Sequence, residues 1–140
     1  MRKETNSQAQ RLVETYYSAF NNQDVDGMLA CVGPGLIHDV SQGASRKGVR
    51  KFRAFLEHMN ICYREQLSDI VIMTNADGTR AAATFYLRGQ YIKTDPGLPK
   101  AKGQKYKLRG GTFFEIQSGK ITRISTHYNL GDWKQQVLAG

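Results

Sequence analysis

Near Cys62 the chain changes its period, and that change constrains the fold more than any other feature. Before it, apolar residues recur at helical spacing: Leu12, Val13, Tyr16, Tyr17 and Phe20, then Val49, Phe52, Phe55, Leu56 and Met59. After it, long stretches alternate with a period of two, broken by Asp77-Gly78 and by Ser118-Gly119-Lys120. A chain written this way gathers its helices first and its strands second. It must lay the helices against one side of an antiparallel sheet.

The elements follow from the same patterns. A helix is expected from Asn6 to Asn21, and a short second one over Val25, Met28 and Leu29, capped by Asp24 and ended by Gly33-Pro34-Gly35. A strand from Leu36 to Val40 precedes a third helix from Lys47 to Asn60. Strands follow from Cys62 to about Thr74, Arg80 to about Lys93, Tyr106 to Ile116 and onward through Leu130, and a short helix around Trp133 closes the chain. The segment TDPGLPKAKGQ, with two of the three prolines, connects two strands and could cover a cavity. The Gly110-Gly111 pair reads as a bulge or bend.

The 140 residues fit one core, so residues 1–140 read as a single domain. No apolar run nears the roughly 20 residues that cross a bilayer, and no signal-like stretch follows the first residues, so a cytoplasmic location is expected with no membrane partner. The net charge of +8 gathers at Arg46 to Arg53 and at Lys93 to Arg109. No nucleic-acid motif accompanies it, and solvated faces account for it. Cys31 and Cys62 lack CxxC spacing, and His38, His58 and His127 are scattered, so neither a disulfide nor a metal site is expected.

Three stretches, LVETYYSAFNNQDVDGMLACV, GLIHDVSQG and LRGGTFFEIQSGKITRISTHYNLGDW, resemble the nuclear-transport-factor-2-like superfamily, most closely its ketosteroid isomerases and SnoaL-like proteins. The resemblance spans nearly the whole chain. It implies an α+β cone, with three N-terminal helices packed on a strongly curved mixed, mostly antiparallel sheet around an apolar pocket. It implies an isomerase-like enzyme that needs no cofactor and shifts a proton beside a carbonyl in a small hydrophobic, steroid- or polyketide-like substrate. By alignment on Asp24, Asp39 takes the place of the catalytic base and Tyr16 that of the oxyanion donor. A base in such a pocket needs a raised pKa. The family's second, acidic donor falls on Gly110 or Thr112, so that acid is missing.

Tyr17, His38, Phe55, Thr112, Phe114, His127 and Tyr128 are the expected pocket lining. Strand parity sends His38 and Asp39 to opposite faces, and likewise His127 and Tyr128. Two other readings stand beside the isomerase: a protein that binds a small hydrophobic ligand without turnover, and a dehydratase or hydrolase using Asp39 with His127. Arg64, Arg88 and Arg109 on strands point to solvent in the ordinary case. Tyr86, Ile92 and Phe113 on the exposed sheet side, with the resemblance, imply a homodimer.

Overall fold

The structure is a computed structural model that describes residues 2–41 and 43–140, with side chains from Asn6 onward. Helices α1 (Arg2–Asn21), α2 (Val25–Leu29) and α3 (Val49–Cys62) pack against a six-stranded sheet, and α4 (Leu130–Ala139) closes one end. The strands are β1 (Val32–Asp39), β2 (Ser45–Lys47), β3 (Tyr63–Thr74), β4 (Arg80–Tyr91), β5 (Gln104–Gln117) and β6 (Lys120–Tyr128). Their order is β2-β1-β6-β5-β4-β3, antiparallel except for the β1–β6 pair. This is the expected α+β arrangement, with the sheet curled but unclosed.

Local chemistry places the elements where the patterns put them. Asp24 caps α2 through the Gly27 amide, 2.9 Å away, and a Cβ on Gly27 would meet that carboxylate at 2.4 Å. Gly78 takes a φ of 71° in the turn between β3 and β4, which a side chain would resist. Asn21, the last residue of α1, accepts from the Leu67 amide at 2.8 Å and donates to the Leu67 carbonyl at 3.0 Å, fixing the first helix to β3.

Three expectations need correction. Gly33-Pro34-Gly35 belongs to β1, where its irregularity shifts the pairing with β6, so the strand starts earlier than Leu36. The short strand β2 lacks any apolar alternation and was invisible to pattern. Gly110-Gly111 makes no bulge, since the β5 register holds from Gln104 to Glu115; Gly110 is bare because the Phe85 ring lies where a side chain would go, 2.7 Å from a built Cβ.

Two apolar clusters fill the cone. The larger joins Val13, Tyr16, Tyr17, Leu36, Phe52, Phe114 and Ile124 under the helices. The smaller joins Cys62, Tyr63, Tyr91, Tyr106, Leu108, Trp133 and Val137 beneath α4. Each fully buried side chain of this size stabilises the fold by about 1.5–3 kcal/mol relative to exposure. The TDPGLPKAKGQ segment is tied down over the smaller cluster: Leu98 and Ala101 pack on it, and the Tyr91 hydroxyl both donates to the Pro99 carbonyl at 2.7 Å and accepts from the Asp95 amide at 2.9 Å.

Candidate functional site

A narrow cleft of about 60 Å³ opens between the helices and β3. Phe20, Met28, Phe55, Leu56, Met59 and Asn60 on the helices and Gln23 in the turn between α1 and α2 form its walls, and Tyr63 and Glu65 form its floor. Inward residues of β3 alternate as Tyr63, Glu65 and Leu67, so period-two geometry alone turns this glutamate into the cone. Burial pushes its carboxyl up to about 7, against a smaller lowering by the Tyr106 hydroxyl that donates to Glu65 Oε2.

That hydrogen bond spans a whole strand. Glu65 on β3 is paired with Gly89 on β4, and Gly89 with Tyr106 on β5, so the three residues form one row across the sheet. Two strand spacings separate the ends of the row by about 10 Å. A phenol can lie across that distance only if the middle position carries no side chain, and a Cβ at Gly89 would stand 2.3 Å from Tyr106 Cζ. Trp133 packs edge-on against the same ring at 5.9 Å. Burial and the Glu65 charge push the Tyr106 phenol well above its usual range, so it stays protonated and remains a donor.

Asp39 has a different environment from the one expected of a base. Arg123 grips it through two hydrogen bonds, Nε to Oδ2 at 2.8 Å and Nη2 to Oδ1 at 3.1 Å, while the Ser45 and Ser125 hydroxyls donate to the same carboxylate. These donors hold its carboxyl well below the usual range rather than above it. Leu36 and His38 face the core, so parity puts Asp39 on the outer face of the sheet, beside its register partner Ser125.

Of the other expected residues, Tyr16, Tyr17, His38, Thr112 and Phe114 are buried inside the cone, Tyr128 is partly so, and Phe55 lines the cleft itself. Tyr16 packs edge-on to Tyr17 at 5.4 Å and to Phe114 at 5.8 Å, within the larger cluster and away from the cleft lining. Burial raises its phenol far above the ordinary range. The Tyr17 hydroxyl lies beside Thr112 without a hydrogen bond of normal geometry, and His38 Nδ1 has no partner. Burial pushes His38 down to about 4, helped by Arg46 and opposed by Asp39. His127 is corrected: it is exposed on the outer face, 5.7 Å from the Phe113 ring. The dehydratase pair of Asp39 and His127 therefore lies outside the cone. Arg64, Arg88 and Arg109 are exposed, as expected.

Glu65, Gly89 and Tyr106 were the residues that pattern reading passed over. The signal was present: a glutamate between Tyr63 and Leu67 on an apolar strand face, and a glycine inside a neighbouring strand.

Helices laid into a curled, unclosed sheet, with a carboxyl at the bottom of an apolar cleft, define a nuclear-transport-factor-2-like cone. The chain belongs to the SnoaL-like family, whose SnoaL-like domain matches residues 13–124. Among solved structures it is similar to a candidate polyketide cyclase from Pseudomonas putida KT2440, with 53% identity, a TM-score of 0.91, and coverage of 92% of this chain and 97% of that one. A second candidate polyketide cyclase, from Xanthomonas campestris pv. campestris, shares 47% identity with a TM-score of 0.92, covering 95% of this chain and 98% of that one. A phenazine biosynthesis-related protein from Pseudomonas aeruginosa, at 16% identity and a TM-score of 0.80 over 98% of this chain and 89% of that one, shares the fold. No functionally curated protein matches the chain. Among the described residues, no helix is long and apolar enough to cross a membrane.

Proposed function

We propose that this protein is an isomerase-like enzyme that needs no cofactor and shifts a proton beside a carbonyl in a small hydrophobic, polyketide-like substrate, with Glu65 as the acid–base group. The observation that carries the reading is the Glu65–Gly89–Tyr106 row. It holds a carboxyl at the floor of an apolar cleft with its pKa pushed up to about 7, where it can both take and return a proton near neutral pH. Tyr106 engages Oε2, which leaves the other oxygen for a carbon-bound proton of the substrate. As that proton leaves, charge grows on the carbonyl oxygen, and the side-chain amides of Gln23 and Asn60, which line the same cleft, are the donors assigned to it in this reading. The names of the candidate polyketide cyclases support a substrate with acidic C–H bonds beside carbonyls.

At about 60 Å³ the cleft admits a few atoms, so a ring-sized substrate needs α2 and α3 to part around Met28 and Phe55. The test is hydrogen–deuterium exchange at the carbon beside the carbonyl of a small cyclic 1,3-diketone, followed by NMR. Exchange above buffer that disappears in Glu65→Gln supports the reading. Saturable binding without exchange would replace it with a ligand-binding function.

We propose also that the protein pairs as a homodimer through the outer sheet face. Phe113 there is 60% exposed and Met73 shares its groove, an apolar area that a second copy would cover.

A further inference from the structure

A second constellation lies outside the cleft, where the last turn of α3 meets the segment after β4. His58 and Cys62 stand four residues apart on α3 and so share one helix face. Asp95 approaches from the connecting segment, with Oδ1 2.8 Å from His58 Nε2, while Cys62 Sγ lies 3.8 Å from the same nitrogen. All three ligand atoms fall within 4.8 Å of one another.

The geometry separates two readings of a Cys, His, Asp set. A nucleophilic relay uses both ring nitrogens, one toward the thiol and the other toward the carboxylate. Here both contacts converge on Nε2, so the ring cannot pass a proton from one to the other. The thiol is also 2% exposed, which keeps it from meeting an external electrophile. Three unlike ligand atoms within 4.8 Å of one another can instead share one metal ion.

We propose that His58 Nε2, Cys62 Sγ and Asp95 form a three-ligand site for a divalent transition-metal ion of zinc type. The mixed nitrogen, sulfur and oxygen set suits that borderline-soft ion and excludes magnesium and calcium, which take oxygen alone. Bond lengths of about 2.0–2.3 Å at tetrahedral angles put N and S about 3.6 Å apart and N and O about 3.3 Å apart. The first lies within about 0.2 Å of the present 3.8 Å, the second needs Asp95 to withdraw by about 0.5 Å, and the thiol and carboxylate, now within 4.8 Å of each other, settle at about 3.5 Å. Binding releases the Cys62 thiol proton to solvent, and the thiolate and carboxylate then neutralise the ion's two charges. The carboxylate is already oriented from behind, since the Tyr63 hydroxyl donates to Asp95 Oδ2 at 2.7 Å. His58 is 45% exposed and leaves the fourth position open to water.

The consequence is a clasp. The ion joins α3 to the segment between β4 and β5 and braces Tyr63, whose ring lines the cleft two residues from Glu65.

Cobalt(II) titration of the metal-stripped 140-residue chain tests the site, because cobalt bound to a thiolate gives a near-ultraviolet charge-transfer band. The expected result is a band that saturates at one equivalent, is erased by added zinc, persists in Cys31→Ser and is lost in Cys62→Ser and in His58→Ala. Circular dichroism establishes that each variant is folded, and the Asp95→Asn variant, which keeps the segment's shape, should weaken binding. Absence of the band in the native protein, or its survival in Cys62→Ser, overturns the proposal, as does cobalt binding without thiolate character.

Discussion

Tyr106 reaches over Gly89 to donate its hydroxyl hydrogen to Glu65, so a missing side chain on β4 joins residues on the two strands that flank it. Replacing Gly89 with alanine should expel the phenol from its place, because the new Cβ would overlap the ring at 2.3 Å. The expected cost is about 1–3 kcal/mol by denaturant unfolding. Proton-transfer activity should fall with it, and a Gly89→Ala protein with native stability would show that the row is not tight.

Glu65→Gln should lower the exchange rate by about 10²–10⁴-fold and remove the inflection near pH 7 from the pH–rate profile. The Tyr106 hydrogen bond favours the charged carboxylate, so Tyr106→Phe should move that inflection to higher pH with activity retained above it. A downward movement would mean that Tyr106 stabilises the neutral acid instead.

Glu65 also carries a stability signature. Its folded-state pKa of about 7 lies above the ordinary 4.5, so between these values the folded protein binds more protons than the unfolded chain. Stability therefore falls as pH rises through that window. Thermal unfolding at pH 5 and pH 8 should show this loss in the native protein and its reduction in Glu65→Gln.

His38 acts in the opposite direction. It is held neutral down to about 4, whereas the unfolded chain protonates near 6.5, so stability falls as pH drops from 6.5 towards 4. His38→Leu, which keeps an apolar contact with Phe52 and Phe55, should be less sensitive across this range. An unchanged acid-unfolding curve would assign the sensitivity elsewhere.

Asp39→Asn separates the two carboxyls. With Arg123, Ser45 and Ser125 holding the charged form on a partly solvated face, the substitution should cost about 0.5–1 kcal/mol at neutral pH and leave the chemistry at the cleft in place. Because the folded pKa is depressed, this contribution is present above the ordinary carboxylate range and lost as pH falls below it, so the gap between native and variant should close in acid. Loss of proton transfer without loss of stability would restore Asp39 as the base.

For the proposed homodimer, sedimentation should give twice the 15.8 kDa chain mass, and Phe113→Glu should give the monomer. A native protein that sediments as a monomer at high concentration ends that proposal.

The element order, the helix faces and the strand parity were legible in the chain because they depend on local periods. Val13, Tyr16 and Phe52 are buried for the same reason that they recur at helical steps, and Thr112 and Phe114 because they alternate. The parity that separates His38 from Asp39 was equally readable. What no local period contains is which face of β1 becomes the outside once the sheet curls, or that Arg123, far along the chain, waits there for the carboxylate. The same limit hid both sites described above. Glu65 meets Tyr106 across 41 positions, and His58 meets Asp95 across 37, distances set by strand register and by how the β4–β5 connection folds back. A sequence determines directly what neighbours along the backbone impose on one another; the environments that decide a carboxyl's pKa or assemble a ligand set are built from residues that only packing brings together.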